Sequence, residues 1–254
     1  MLELLLIGIG TGNPEHLTRE AERAIASADL VLLPHKEDNK AELAQVRLAL
    51  LAQLQVPANR IAHFDMPLRR QQGADYDQQV DEWHDAIAQR WQTCLRAHGP
   101  AVATRPQRVA LLVWGDPALY DSTLRIAARL GLAQEQVRVV PGITSMQVLC
   151  SAHGIALNGI GEPFLVTTGR QLRDTGWPPG VDTLVVMLDG QCSFQQVAQE
   201  PGATIYWGAY LGMPQQLLMH GPLAQLAPGI VQARQAARER HGWIMDIYLL
   251  RKGG

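Results

Sequence analysis

Gly115-Asp116-Pro117 is the stretch of this chain whose residue types best suit chemistry, because it ends an apolar run and opens a helical pattern within a few residues. Gly115 can take backbone angles closed to other residues and admits a ligand to the main chain, Asp116 offers an acceptor-only carboxylate, and Pro117 fixes the exit direction. A strand that stops in such a turn near mid-sequence is where an open α/β sheet presents a ligand. Two further turns share the pattern. Gly8-Ile9-Gly10-Thr11-Gly12-Asn13-Pro14 follows the first apolar run, and its glycines let a ligand lie close to the backbone. Pro141-Gly142-Ile143-Thr144-Ser145 follows a later one and sets two hydroxyls at a helix start, where backbone N–H groups converge. Each turn also has a plainer reading: punctuation for Gly-Asp-Pro, tight helix–strand packing for the first glycines, and capping for Thr144 or Ser145.

Stepping from these turns to the elements that hold them, the runs Leu2 to Ile7, Leu30 to Leu33 and Val109 to Val113 read as buried strands. Asn13 as N-cap, Pro14 in the first helical position and the stripe Leu17, Ala21, Ala24, Ile25 and Ala28 predict a helix between the first two strands. Helices are expected over Ala41 to Leu54 and Tyr76 to Ala97, with a short strand at Ile61 to Phe64 between them. Trp83 and Trp91 fall on the apolar stripe of the second helix and read as core. Beyond the central turn a helix from Asp121 to Leu130, strand Val137 to Val140 and a helix to His153 repeat the scheme. Further strands are expected at Phe164 to Thr168, Thr183 to Leu188, Ala203 to Trp207 and Ile244 to Leu250, with helical stretches at Phe194 to Gln199, Pro214 to Met219 and Val231 to Arg240. This is an α/β chain of two domains, 1–113 and 117–254, with a mostly parallel first sheet and a mixed second one.

Several functions are disfavoured by what the chain lacks. The first glycine loop has the spacing G-x-G-x-G, Pro14 follows its last glycine by two residues, and no acid ends the second strand, so a Rossmann dinucleotide site does not fit. With 22 basic and 24 acidic residues interspersed and a net charge of −2, there is no nucleic-acid or membrane footprint. No apolar run reaches membrane-spanning length, and the N-terminus reads as a first strand; a cytoplasmic protein is expected. Cys94, Cys150 and Cys192 are scattered, which suggests neither a disulfide framework nor a thiolate metal site. The charged loop His35 to Lys40 leaves the second strand at its carboxyl end, which makes Lys36 and Lys40 the basic groups placed to greet an acidic substrate.

GIGTGNPEHLT, VWGDPALYDSTL and VVPGITS resemble, in order and spacing, the three hallmark loops of the tetrapyrrole methylases, which use S-adenosylmethionine to methylate uroporphyrinogen and precorrins. The segments VVMLDG, IYWGAYLG and HGWIMDIYLLR fall where that family has its later strands, so the resemblance spans the chain. With HKEDNKAEL and DEWHDA, they are most similar to the branch whose reaction also releases an acetyl unit as acetate. The resemblance implies two α/β domains with the cofactor in the cleft between them, no metal, a precorrin tetrapyrrole as substrate and a homodimer by analogy. Gly115, Asp116, Leu119, Tyr120, Thr144, Ser145, Met187, Tyr210 and Met245 would bind the cofactor, and Gly8, Gly10, Gly12 and Pro14 would face the substrate with Lys36. Acetyl loss needs a base for water and a donor for an oxyanion. Asp116, Asp65 and Asp189 are the candidate bases, and Tyr120 the candidate donor.

Overall fold

An unbroken apolar strand needs cover on both faces, and the computed structural model, which describes residues 2–35, 41–68, 76–98 and 105–253, supplies it. β1 (Leu2–Gly8), β2 (Leu30–His35), β3 (Ile61–Asp65), β4 (Gln107–Val113) and β5 (Val137–Val140) form a parallel sheet in the order β3-β2-β4-β1-β5. On one face Leu5 and Ile7 pack with Ala21, Ala24 and Ile25 of α1 (Arg19–Ser27) and with Leu50 and Leu51 of α2 (Ala41–Gln53). On the other, Leu4 and Leu6 meet Ile87 and Trp91 of α3 (Tyr76–His98) and Ile126 and Ala127 of α4 (Thr123–Ala128). None of these four β1 side chains is more than 1% exposed. Burial of each contributes about 1.5–3 kcal/mol.

The order of strands decides where a ligand can sit. β1 and β4 are neighbours, yet the chain leaves them in opposite directions: from β1 across β4 to β2, and from β4 across β1 to β5. Their carboxyl ends therefore flank a topological switch point, the place where an open α/β sheet leaves a crevice. The register from Leu2 opposite Gln107 to Gly8 opposite Val113 brings both ends to the same level.

The second sheet has the order β6-β7-β10-β8-β9, built from β6 (Leu165–Thr168), β7 (Thr183–Met187), β8 (Thr204–Ala209), β9 (Leu217–Pro222) and β10 (Asp246–Arg251). Only β6 and β7 run parallel; the other pairs are antiparallel, which makes the sheet mixed as expected. α5 (Ser145–His153), α6 (Gly169–Thr175) and α7 (Leu223–His241) belong to the same unit.

Four details depart from the sequence expectations. Asn13 caps only a single 3-10 turn, Pro14–His16, and α1 starts afresh at Arg19 under a second cap, with Thr18 Oγ1 accepting from Ala21 N at 3.0 Å. β2 continues through Pro34 to His35, because β4 pairs with it only as far as Leu32 and asks no N–H of Pro34. Residues 217–219, expected in a helix, lie in β9, paired along its length with β8. The chain divides into compact units at Met1–Ile143 and Thr144–Gly254, later than the central turn, because β5 completes the first sheet by pairing with β1.

Candidate active site

Three turns at the carboxyl edge of the first sheet meet backbone to backbone. Gly115 N donates to Gly10 O at 2.7 Å, Gly10 N returns a bond to Gly115 O at 3.3 Å, and Ile9 N bonds Val113 O at 2.9 Å. Gly115 takes φ +65°, a left-handed angle that disfavours any side chain. At Gly142 the restriction is space: an added Cβ would collide with Gly115 O and with the backbone of Gly8. The glycines of all three sequence motifs thus fill one junction, and Asp116 fastens it. Its Oδ1 accepts from Ala118 N at 2.7 Å and closes the turn, while its Oδ2 accepts from Gly142 N at 2.9 Å and ties that turn to the one after β5. Beyond it Leu119 is half-buried, whereas Tyr120 is exposed and held at φ +48°, a strained angle for an aromatic residue.

Around this junction the first glycine loop carries two unsatisfied polar atoms. Thr11 Oγ1 and His16 Nδ1 are shielded from solvent and have no hydrogen-bond partner among the described residues. Gly12 sits between Thr11 and Asn13, and Pro14 opens the 3-10 turn with its ring exposed. Along the same edge Asp65 ends β3 with its side chain exposed. Lys36 and Lys40 lie outside the described residues.

In the second unit, Thr144 caps α5, its N and Oγ1 both donating to Gln147 Oε1, at 2.7 and 2.5 Å. Ser145 is the first helical residue and half-buried. Met187 ends β7, and the next residue, Leu188, is 66% exposed at φ +53°. Asp189 explains how so unfavourable a loop is kept. It is buried and accepts from Gln191 N at 3.0 Å, Ser193 N at 2.6 Å, Ser193 Oγ at 2.9 Å and Tyr248 Oη at 2.7 Å. Burial and the adjoining carboxylate push the Tyr248 hydroxyl far above the ordinary phenol range, so it stays a donor. Arg234 Nη2 bonds Asp189 O at 3.0 Å and its Nε bonds Asp246 Oδ2 at 3.0 Å, which also accepts from Trp207 Nε1 at 3.0 Å. Burial raises the Asp246 pKa against the opposing pull of Arg234. Tyr210, at φ +50°, turns its ring inward: its hydroxyl donates to Trp243 O at 2.6 Å, and its N donates to Met245 O at 3.0 Å. The Tyr210 carbonyl in turn accepts from Met213 N at 2.9 Å, so its hydroxyl and its backbone are all engaged within the protein, and Met245 lies half-buried on the segment entering β10.

Sequence reasoning did not single out Arg47, Leu188 or the network around Asp246. The one available signal for Arg47 was a solitary cation in the run LAQVRLALLAQL of α2. Leu188 gives no signal, since a leucine's exposure and backbone angle are fixed by bonds that Asp189 makes across the unit.

Sheet order, switch point and glycine junction together make the carboxyl edge of the first sheet the candidate ligand site of an α/β protein. The family model for Tetrapyrrole (Corrin/Porphyrin) Methylases matches residues 3–227, and the chain belongs to that family. A precorrin-6A synthase (deacetylating) of Sinorhizobium sp. is 46% identical over the whole of this chain and 96% of its own length. Among solved structures, a cobalamin synthesis related protein (CobF) from Corynebacterium diphtheriae superposes with a TM-score of 0.82 at 38% identity, covering 99% of each chain. The uroporphyrin-III C-methyl transferase of Thermus thermophilus, solved with S-adenyl homocysteine, shares the fold with a TM-score of 0.60 at 23% identity, over 98% of this chain and 97% of that one.

Proposed function

We propose that this protein is an S-adenosylmethionine-dependent C-methyltransferase that converts precorrin-5 to precorrin-6A, methylating C1 and releasing acetate. The observation that carries this reading is the 46% identity to a precorrin-6A synthase along the entire chain. The chain's own residues fit the cofactor. The orphaned Thr11 and His16 atoms and an apolar Leu188 held out to solvent beside Met187 suit a ligand with polar and apolar ends. The residues assigned to the cofactor are Gly115, Asp116, Leu119, Tyr120, Thr144, Ser145, Met187, Tyr210 and Met245. The sulfonium supplies a methyl group that is already activated. What remains for the protein is to align substrate, exclude water where methyl transfer occurs and admit one water to the acetyl carbonyl.

Deacetylation sets a separate demand. Water adds to the ketone, the C–C bond breaks, acetate leaves with the water oxygen, and the bonding pair passes into the ring's conjugated system. Asp65 is exposed, with no donor to its carboxylate among the described residues, whereas the oxygens of Asp116 and Asp189 already accept the protein's own N–H and O–H donors. Asp116 therefore acts chiefly by fixing the turn that presents Tyr120, whose hydroxyl is the donor for the oxyanion. Incubation with precorrin-5 and methyl-labelled cofactor, following label and acetate together, tests the reaction. One acetate should appear per methyl transferred, with little turnover of neighbouring precorrins. Label transfer without acetate would assign the protein to another reaction of the family.

A further inference from the structure

Arg47 stands on α2 at the carboxyl edge of the first sheet, and its charge has no carboxylate partner among the described residues. Its Nε donates to Leu112 O at 3.2 Å, and its guanidinium lies 5.0 Å from the centre of the Trp114 ring. These two contacts fix the plane of the group. No described carboxylate comes within ion-pair distance of it; Asp121 acts on it only at longer range, and Asp121 Oδ1 is engaged by Thr123. The Nη atoms have no acceptor among the described residues, yet they are not among the buried atoms sealed from solvent. Loss of water around the group, with little compensation from Asp121, brings its pKa down to about 10. A folded protein keeps a desolvated cation in this state at a cost in stability, and a ligand anion would repay it.

We propose that Arg47 is a carboxylate-binding residue, its two Nη groups forming a fork that receives one carboxylate of a bound ligand beside the Trp114-Gly115-Asp116 turn. The inference rests on the methyltransferase reading for its choice of ligand, since both compounds in that reaction carry carboxylates: the acidic side chains of the tetrapyrrole and the amino-acid end of the cofactor. The position favours the tetrapyrrole. Trp114 is a flat apolar surface next to the fixed charge, and a macrocycle with an acidic arm matches both.

Arg47→Gln is the variant of choice, because its amide can still donate to Leu112 O while the charge and the fork are lost. Titration of the full chain with uroporphyrin should give a dissociation constant raised by about tenfold or more over the parent. Arg47→Lys should recover part of that loss, and the affinity for S-adenosylhomocysteine should be unchanged in both. Uroporphyrin octamethyl ester, which carries no acid, should bind parent and Arg47→Gln alike. Weaker S-adenosylhomocysteine binding with unchanged uroporphyrin binding would support the same carboxylate fork with the cofactor as its ligand. Unaltered affinity of folded Arg47→Gln for both compounds would overturn the proposal. Methyl transfer to precorrin-5 by the parent protein is measured alongside: its absence counts against the proposed reaction, while the binding result still decides the role of Arg47.

Discussion

Asp116 shows how a residue chosen for its chemistry can act through geometry. Its two oxygens accept backbone N–H groups of different turns, Ala118 at 2.7 Å and Gly142 at 2.9 Å, so removing the carboxylate loosens the junction on which the glycine loops meet. Asp116→Ala is expected to lower stability by about 1–3 kcal/mol, the usual effect of orphaning such donors, and to reduce methyl transfer far more than Asp29→Ala. Asp29 lies just before β2, at the opposite edge of the sheet, in an exposed pair with Arg105, and such pairs contribute little. Denaturation curves and rates measured on both variants check this; equal, full activity in the two would reduce the central turn to a simple connector. Gly142→Ala is the complementary experiment. Its Cβ must displace the backbone of Gly8 and Gly115, and overpacking of that kind costs about 1–3 kcal/mol. Gly131→Ala has open space around it, and only its φ of +68° opposes the change. Urea midpoints should therefore fall further for the first than would follow from strain alone, with activity lost only in the first.

At the scale of elements, the sequence was legible where each segment's own pattern was sufficient. β1, β4 and β5 are short apolar runs closed by glycine or proline, and α3 carries a stripe at spacings of three and four over its length. β9 was not legible, because Gln216-Leu217-Leu218-Met219 has no alternation and becomes a strand only by pairing with β8. The start of α7 was hidden by Pro228 inside the helix, which reads as a break, and α6 is a single short helix with little periodicity to detect. The site followed the same division. Glycine loops announced themselves, whereas the loop that exposes Leu188 depends on Asp189 gathering four donors from β10 and from its own turn. Asp189→Ala should accordingly cost about 2–4 kcal/mol, since it strands several buried donors at once, and Tyr248→Phe only about 1 kcal/mol. Chemical denaturation of the two variants checks the order; a Tyr248→Phe loss as large as that of Asp189→Ala would show that the hydroxyl, not the loop, is what the carboxylate serves.

Across the whole molecule, a histidine in each unit takes up a proton less readily than it would unfolded, and this sets the acid side of its stability. In the first unit His84 is 1% exposed on α3 with neither ring nitrogen hydrogen-bonded among the described residues, and burial lowers its pKa, with Arg129 nearby adding to the effect. In the second, His153 has Nε2 3.1 Å from Trp207 O and packs edge-on against Tyr206 and His220; burial again lowers its pKa, and the bond to Trp207 O opposes the shift. Both groups bind a proton less readily folded than unfolded, so the unfolded chain takes up more protons as pH falls. Their contribution is complete above the ordinary imidazole value of 6.5 and is lost as pH falls through their lowered native values. Asp29, whose carboxyl is held low mainly by the Arg105 hydrogen bond, works in the same direction, but only below the carboxylate range. The urea midpoint should therefore be level from pH 8 to 7 and decline between about pH 6.5 and 5, ahead of the carboxylates that keep their ordinary range. His84→Leu removes an unpartnered buried imidazole, which is neutral or stabilising at pH 8, and should make the decline shallower. A decline of unchanged steepness in that variant would mean that His84 takes up its proton as readily folded as unfolded, or that another group governs the acid limb.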